Sequence, residues 1–318
     1  MTSTATATAA YCTITEACGA LDRSERGKLA LSGPDAKPFL EGQVTNEVER
    51  LSDGEGCYAA FLTPKGKMLG DVRILDISRE LLLDTERVAL QELFNMIRRF
   101  KVGYRVELHK RTLERGLVSL VGPASDRVAG TAELPPLEHV HAPVNIDGVA
   151  ARAIRTDVGI DLLCDAADTE ALLAAVEARG APTVPESATE CLRVERGRPR
   201  YGIDLDDTVI PEEAGLNARA VSFTKGCYVG QETVARLHYR GKPNRRLRGL
   251  LLSGTADRGA KLLVGERTVG TLTTVVSSPV FGSIGLALVR REAPPGTTVV
   301  LNGVGGVTAE VIELPFGS

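Results

Sequence analysis

Tryptophan is absent from the 318 residues, and aromatic residues make up only 4%. A ligand site built on tryptophan stacking is therefore excluded, and the core has to be made of Leu, Val, Ile and Ala. An excess of either charge is also lacking, since 38 Lys and Arg stand against 41 Asp and Glu for a formal net charge of -3. That balance argues against general nucleic-acid binding through bulk charge. The six cysteines, at 12, 18, 57, 164, 191 and 227, include no Cys-x-x-Cys pair and have no His at ligand spacing, so no metal site is expected. No apolar run reaches the roughly 18 residues of a membrane span. The start, MTSTATATAAYC, has neither the basic nor the apolar region of a secretion signal. A cytoplasmic monomer without membrane attachment is expected, with its scattered cysteines reduced. Dinucleotide, P-loop and Gly-x-Ser-x-Gly motifs are missing as well, which removes nicotinamide, nucleoside-triphosphate and α/β-hydrolase chemistry.

What is present is an ordinary globular mixture, 43% hydrophobic and 25% charged, so the chain folds. Its length suggests two domains or one large unit with an appendage. Residues 1–13 read as a flexible tail, Thr/Ala-rich and uncharged over the first ten. Residues 14–242 mix strands and helices without a βαβ rhythm, which predicts an α+β region with antiparallel sheets. A short helix follows Pro34, and strands 58–62 and 68–77 flank a Pro64-Lys65-Gly66 turn. Residues 74–85 alternate into a hairpin over Ser78-Arg79, with Asp84 as N-cap of the helix whose apolar residues recur at 90, 93, 94 and 97. A strand over 104–108, a Pro-rich crossover at 123–143, a hairpin at 150–164 and a capped helix at 168–179 ending on Gly180 complete this part. From 243 to 318, short apolar runs broken by Gly, Pro and Asn every eight to twelve residues predict a small β-barrel, with a turn at 303–306.

The most informative segment is FTKGCYVGQETVAR, residues 223–236. Cys227 sits between Gly226 and Gly230, two residues after Lys225 and just before a helix-prone stretch, where backbone N–H groups and a cation can favour a thiolate. The alternative is a small packing residue in a tight turn. Cys57, in a similar Gly-Cys-Tyr setting, is assigned to the core. Residues 236–248, RLHYRGKPNRRLR, hold six Arg and Lys and no acid. They form either a solvated run or an electrostatic site for a glutamate tail, an RNA or a protein.

The run K-G-C-Y-x-G-Q-E-x-x-A-R resembles the signature of the YgfZ family, folate-binding proteins related to the glycine-cleavage T-protein, an aminomethyltransferase. GPDAKPFLEGQVTNEVERL (33–51) and LRVERGRPRYGIDLDDTVIPEEAGL (192–216) are similar to the T-protein's N-terminal and central patterns. The resemblance implies a three-lobed ring around a central channel for tetrahydrofolate or a one-carbon derivative, with the barrel as third lobe. It implies that Glu195 anchors the pterin, since a carboxylate can take two parallel hydrogen bonds from an aminopyrimidine edge. It further implies cofactor contacts from Tyr228, Gln231 and Arg236, and a functional thiol at Cys227 assisted by Lys225. The implied role is accessory to iron–sulfur cluster assembly or repair, with folate and iron–sulfur proteins or assembly factors as partners. The chain departs from the T-protein at 83–88, where a catalytic Asp and its Asn are expected and Leu-Asp-Thr-Glu-Arg-Val stands. One-carbon or aminomethyl transfer, or tRNA modification through the 236–248 segment, is the alternative. A folate-binding scaffold in which Cys227 only shapes its turn is the third.

Overall fold

The structure is a computed structural model, and it describes residues 2–303 and 305–317. Two compact units divide the chain: the first takes the residues up to Leu62, Leu69–Thr189 and Arg219–Val229, and the second takes Thr63–Met68, Glu190–Ala218 and the residues from Gly230 onward.

Unit 1 is made of strands β1 (Gly19–Asp22), β2 (Gly27–Ser32), β3 (Gly56–Leu62), β4 (Met68–Asp76), β5 (Glu80–Thr85), β6 (Glu107–Lys110), β7 (Arg115–Val121), β8 (His141–Ile146), β9 (Val149–Arg155) and β10 (Gly159–Asp165). They form two five-stranded sheets, ordered β3-β4-β5-β2-β6 and β1-β7-β10-β9-β8. The ladders are antiparallel, as the missing βαβ rhythm predicts. Strand residues alternate between two faces. Leu117, Ile154 and Leu163 of one sheet pack on Ala30, Leu75 and Leu82 of the other. Their neighbours Val118, Ala153 and Leu162 turn the opposite way and join Leu172 and Val176 of a helix in a second core.

The helices are α1 (Thr2–Glu16), α2 (Ala36–Glu41), α3 (Leu90–Phe100), α4 (Ser125–Ala129), α5 (Thr169–Ala178), α6 (Glu186–Glu195), α7 (Asn217–Ala220) and α8 (Gln231–Arg240). α2, α3 and α5 lie where the sequence places helices and α8 fills the helix-prone stretch, whereas α4, α6 and α7 carry no such expectation, and four expectations are corrected. The flexible tail is instead helix α1, whose Tyr11 and Ile14 are buried, so its apolar residues have a core to join; Met1 lies outside the described residues. Asp84 does not cap α3. It is a residue of β5, and α3 begins at Leu90 after Ala89. Asp168 does precede α5 but makes no side-chain cap bond. The strand expected over 104–108 is β6, shifted toward the C-terminus, because residues 101–104 are taken up in a turn with Gly103 at φ +93°.

Unit 2 contains β11 (Arg245–Leu252), β12 (Lys261–Val264), β13 (Arg267–Ser278), β14 (Gly282–Arg290), β15 (Thr298–Leu301) and β16 (Thr308–Ile312). They close into a barrel in the order β11-β14-β13-β12-β15-β16. Closure pairs every strand edge, and Leu250, Leu262, Leu272, Ala287, Val299 and Val311 fill the interior. The expected 303–306 turn joins β15 to β16, with Val304 outside the described residues. Among the described residues, no helix is long and apolar enough to cross a membrane.

Candidate functional site

Strand β4 reads MLGDVRILD, an apolar run interrupted by Asp71, Arg73 and Asp76, each no more than 8% exposed. Buried ionic groups need partners, and unit 1 supplies them. The Tyr58 hydroxyl on β3 donates to Asp71 Oδ2 at 2.5 Å. Arg73 pairs with Asp84 Oδ2 at 2.8 Å on the neighbouring β5 and with Asp161 Oδ2 at 2.6 Å on the other sheet. Arg26 donates to Asp84 Oδ1 at 2.8 Å and also pairs with Glu86. Around Tyr58 lie Arg219, its guanidinium 5.4 Å from the ring centroid and ion-paired to Glu138, and His139, with ring centroids 6.5 Å apart.

Environment separates the two carboxyls of this cluster. Burial raises Asp71 above the usual carboxylate range, with Glu86 adding to the effect and the Tyr58 hydrogen bond and Arg26 opposing it. Asp84 is equally buried, but Arg26 and Arg73 outweigh that burial and hold it below the usual range. Burial thus favours the protonated form of Asp71, whereas the two arginines favour the ionised form of Asp84. Burial, together with Arg73 and Arg219, pushes His139 down to about 3, so its imidazole is neutral. Arg73 Nε, Arg219 Nε and His139 Nδ1 are buried without hydrogen-bond partners among the described residues. Sequence reading passed over Asp71 and Tyr58, and looked for a catalytic carboxylate only at 83–88. The available signal was three charged residues, Asp71, Arg73 and Asp76, within a strand otherwise free of polar side chains.

The residues singled out from the sequence fall in both units. Lys225, Cys227 and Tyr228 belong to unit 1; Glu195, Gln231 and Arg236 belong to unit 2. The side chain of Lys225 is 1% exposed, and its ammonium donates to the carbonyls of Glu41, Val44 and Asn46 at 2.7, 2.8 and 2.7 Å while pairing with Glu41 Oε1 at 3.2 Å. It also lies 5.4 Å from the Tyr228 ring centroid. Its field falls on Cys57, half-buried on β3, whose thiol burial pushes up to about 12. Lys225 therefore anchors the motif loop from beneath, and Cys227 stands exposed on that loop as a free thiol. Tyr228 is buried. Gly230 precedes α8 at φ +85°, a left-handed position suited to glycine, whereas a Cβ at Gly226 would meet open space. On α8, Gln231 is half-buried and Arg236 exposed.

Glu195 ends α6 and is buried, at 7% exposed. Its Oε1 accepts from Ser278 Oγ at 2.5 Å and from Cys191 Sγ at 3.5 Å. In the basic segment, Arg245 pairs with Glu213, Arg246 with Glu212 and Arg248 with Glu313, while Arg236, Arg240 and Lys242 are exposed. No group of three or more His, Cys, Asp and Glu among the described residues could hold a metal ion.

Residues 3–225 match the GCVT N-terminal domain, and residues 245–317 match the glycine cleavage T-protein C-terminal barrel domain. An aminomethyltransferase of Rubrobacter xylanophilus is 30% identical over 311 residues, covering 94% of this chain and 82% of its own. A protein of Colwellia psychrerythraea named tRNA-modifying protein YgfZ is 27% identical over 228 residues, 71% of this chain and 69% of its own. The crystal structure of glycine cleavage system aminomethyltransferase T from Bartonella henselae has the same fold, with a TM-score of 0.85 at 22% identity over 98% of this chain and 89% of that one.

Proposed function

The chain belongs to the glycine cleavage T-protein family, and from that premise we propose that it binds tetrahydrofolate or a one-carbon derivative and serves iron–sulfur cluster assembly or repair in the cytoplasm, with the Cys227 thiol as its functional group. The observation that carries this reading is the motif loop. Its lysine is buried and bound by four oxygens, so the loop has a fixed base, and its cysteine is exposed and free to meet a partner. Glu195 is the proposed pterin contact. Its carboxylate is buried, with Oε1 accepting from Ser278 and Cys191, and a carboxylate is the group that accepts the paired donors of an aminopyrimidine edge.

Titration with tetrahydrofolate tests the ligand, and Glu195→Ala is expected to weaken it by about 30-fold, or about 2 kcal/mol. Glu195→Gln keeps the hydrogen bonds of the barrel side and controls for loss of fold. Equal affinity in all three proteins removes Glu195 from the site. Expression of Cys227→Ser in cells lacking the native protein tests the thiol, and normal iron–sulfur enzyme activity at normal protein level would refute its role.

A second reading, one-carbon transfer to a small amine or a tRNA base, is favoured by a specific observation. Asp71 is a buried carboxyl with a raised pKa, oriented by Tyr58, and such a group can move protons during transfer. On this reading wild-type protein transfers the one-carbon unit of a tetrahydrofolate derivative, and Asp71→Asn lowers the rate by about 100-fold or more at unchanged folate affinity. Absence of transfer by wild type would eliminate it and leave the Cys227 reading untouched.

A further inference from the structure

Unit 2 carries a basic cleft that neither reading uses. Its volume is about 460 Å³, and its charged lining is Lys67, Arg245, Arg290 and Arg291 with Glu213 and Glu292. Four cations against two carboxylates leave a surplus of two positive charges.

The arrangement opposes like charges. Arg245 on β11 and Arg290 on β14 are register partners in the antiparallel ladder, so their side chains stand directly opposite on one face of the barrel. Like charges in that position repel, and a fold keeps them at a cost in stability unless an anion lies between them. Glu213 relieves only Arg245, accepting from its Nε at 3.1 Å and its Nη2 at 3.3 Å. Arg245 Nη2 and Lys67 Nζ both donate to the Thr208 carbonyl, at 2.8 and 2.6 Å, which fixes these two cations side by side. The backbone N–H of Arg291 donates to the Asn244 carbonyl at 3.0 Å and holds the end of β14 beside the start of β11. Glu292 offsets Arg290 and Arg291 only in part, since its carboxylate also pairs with Arg267 at 2.9 Å. The guanidiniums of Arg290 and Arg291 have no hydrogen-bonded or ion-paired partner among the described residues.

We propose that this cleft binds a phosphate group, with Arg290 and Arg291 gripping its oxygens and Arg245 and Lys67 supplying the remaining positive charge. Guanidinium forks match the spacing of phosphate oxygens, and a phosphate monoester carries nearly two negative charges near neutral pH, equal to the surplus in the cleft. A single carboxylate would offset half of it. The phosphate can belong to a small ester or to a nucleic-acid backbone, and the test separates these sources.

Pyrophosphate and a single-stranded oligoribonucleotide are titrated in parallel into full-length wild type, the Arg290→Ser/Arg291→Ser double variant and an Arg98→Ser/Arg99→Ser control that removes equal charge from α3. Saturable pyrophosphate binding is expected, weakened by about 10-fold or more in the cleft variant, unchanged in the control, and decreasing with added salt. Oligoribonucleotide binding that depends on the same two arginines with a steeper salt dependence identifies a nucleic-acid backbone as the source; dependence confined to pyrophosphate identifies a small ester. Equal binding of both ligands by wild type and the cleft variant, or no saturable binding of either, overturns the proposal. So does a pentaglutamate peptide that needs the two arginines when pyrophosphate does not. Unchanged melting of the double variant confirms that any loss is not unfolding, and tetrahydrofolate affinity reports separately on the folate reading.

Discussion

Two residues of one motif, two positions apart, do opposite things. Lys225 gives its charge to Glu41 and three carbonyls in the interior, and burial acts to lower its pKa against the pull of Glu41. Removing it leaves a carboxylate and several carbonyls unsatisfied, so Lys225→Ala is expected to cost about 3 kcal/mol in urea denaturation. Cys227→Ser, at an exposed position, is expected to stay within about 0.5 kcal/mol of wild type. A thiol that proved as costly to replace as the lysine would mean that Cys227 packs rather than presents. Another residue, with His139, contributes to acid stability. Arg152 can only donate, and its Nη1 lies 2.9 Å from His141 Nδ1, so Nδ1 carries the lone pair and Nε2–H donates to the Glu55 carbonyl at 3.2 Å. Burial first, then Arg152, lowers the pKa of His141 to about 4. The unfolded chain takes up this proton near pH 6.5 and the folded chain refuses it. The contribution is therefore whole above about pH 6.5 and is lost as the pH falls through about 4, reaching a loss of about 2 kcal/mol at pH 5. Urea midpoints at pH 7 and pH 5 should diverge for wild type and diverge less for His141→Asn, where His139, held down to about 3, keeps the remaining pH dependence.

At the scale of elements, the β4–β5 hairpin joins the two sheets of unit 1. Its register sets Arg73 opposite Asp84, and Arg73 then reaches Asp161 on β10. One strand pairing thus determines a link between sheets. Asp84→Ala is expected to cost about 3–5 kcal/mol, because Arg26 and Arg73 would remain buried without their shared anion, whereas Asp84→Asn, which keeps an acceptor, should cost less. Equal, small losses in both variants would show that the ion pairs add nothing beyond apolar packing. The pKa of Asp84 lies below the ordinary value, so the stability it provides is present above the usual Asp range and falls as acid carries the pH through its lowered value.

For the whole molecule, binding and stability are linked, since a ligand that recognises only the native chain raises its unfolding free energy. Tetrahydrofolate at about 100 times its Kd should add about 2.7 kcal/mol, seen as a higher melting temperature, and the increment should shrink in Glu195→Ala. No shift at saturating ligand would refute folate binding by the native protein. Two compact units, one of paired sheets and one built on a closed barrel, accommodate a core with no tryptophan, because Leu, Val, Ile and Ala on alternating strand faces suffice to fill it.

The sequence by itself determined the antiparallel α+β region, the C-terminal barrel, the hairpin over Ser78 and the motif that carries the family resemblance. Those features are local: strand alternation, turn residues and contiguous motifs are written in neighbouring positions. It did not reveal that Asp84 is an interior anion, because a carboxylate followed by Thr and Glu looks like a helix start until Arg26 and Arg73, far away in the chain, are brought to it. Nor did it distinguish Lys225 as an anchor, since the carbonyls of Glu41, Val44 and Asn46 reach its ammonium only when the chain closes on itself. Asp71 stood out only as a charge within an apolar strand, and its partner Tyr58 and its burial follow from packing. Whether a carboxyl is raised by burial or lowered by cations depends on what long-range packing places within a few ångströms of it, and that is a property of tertiary structure alone.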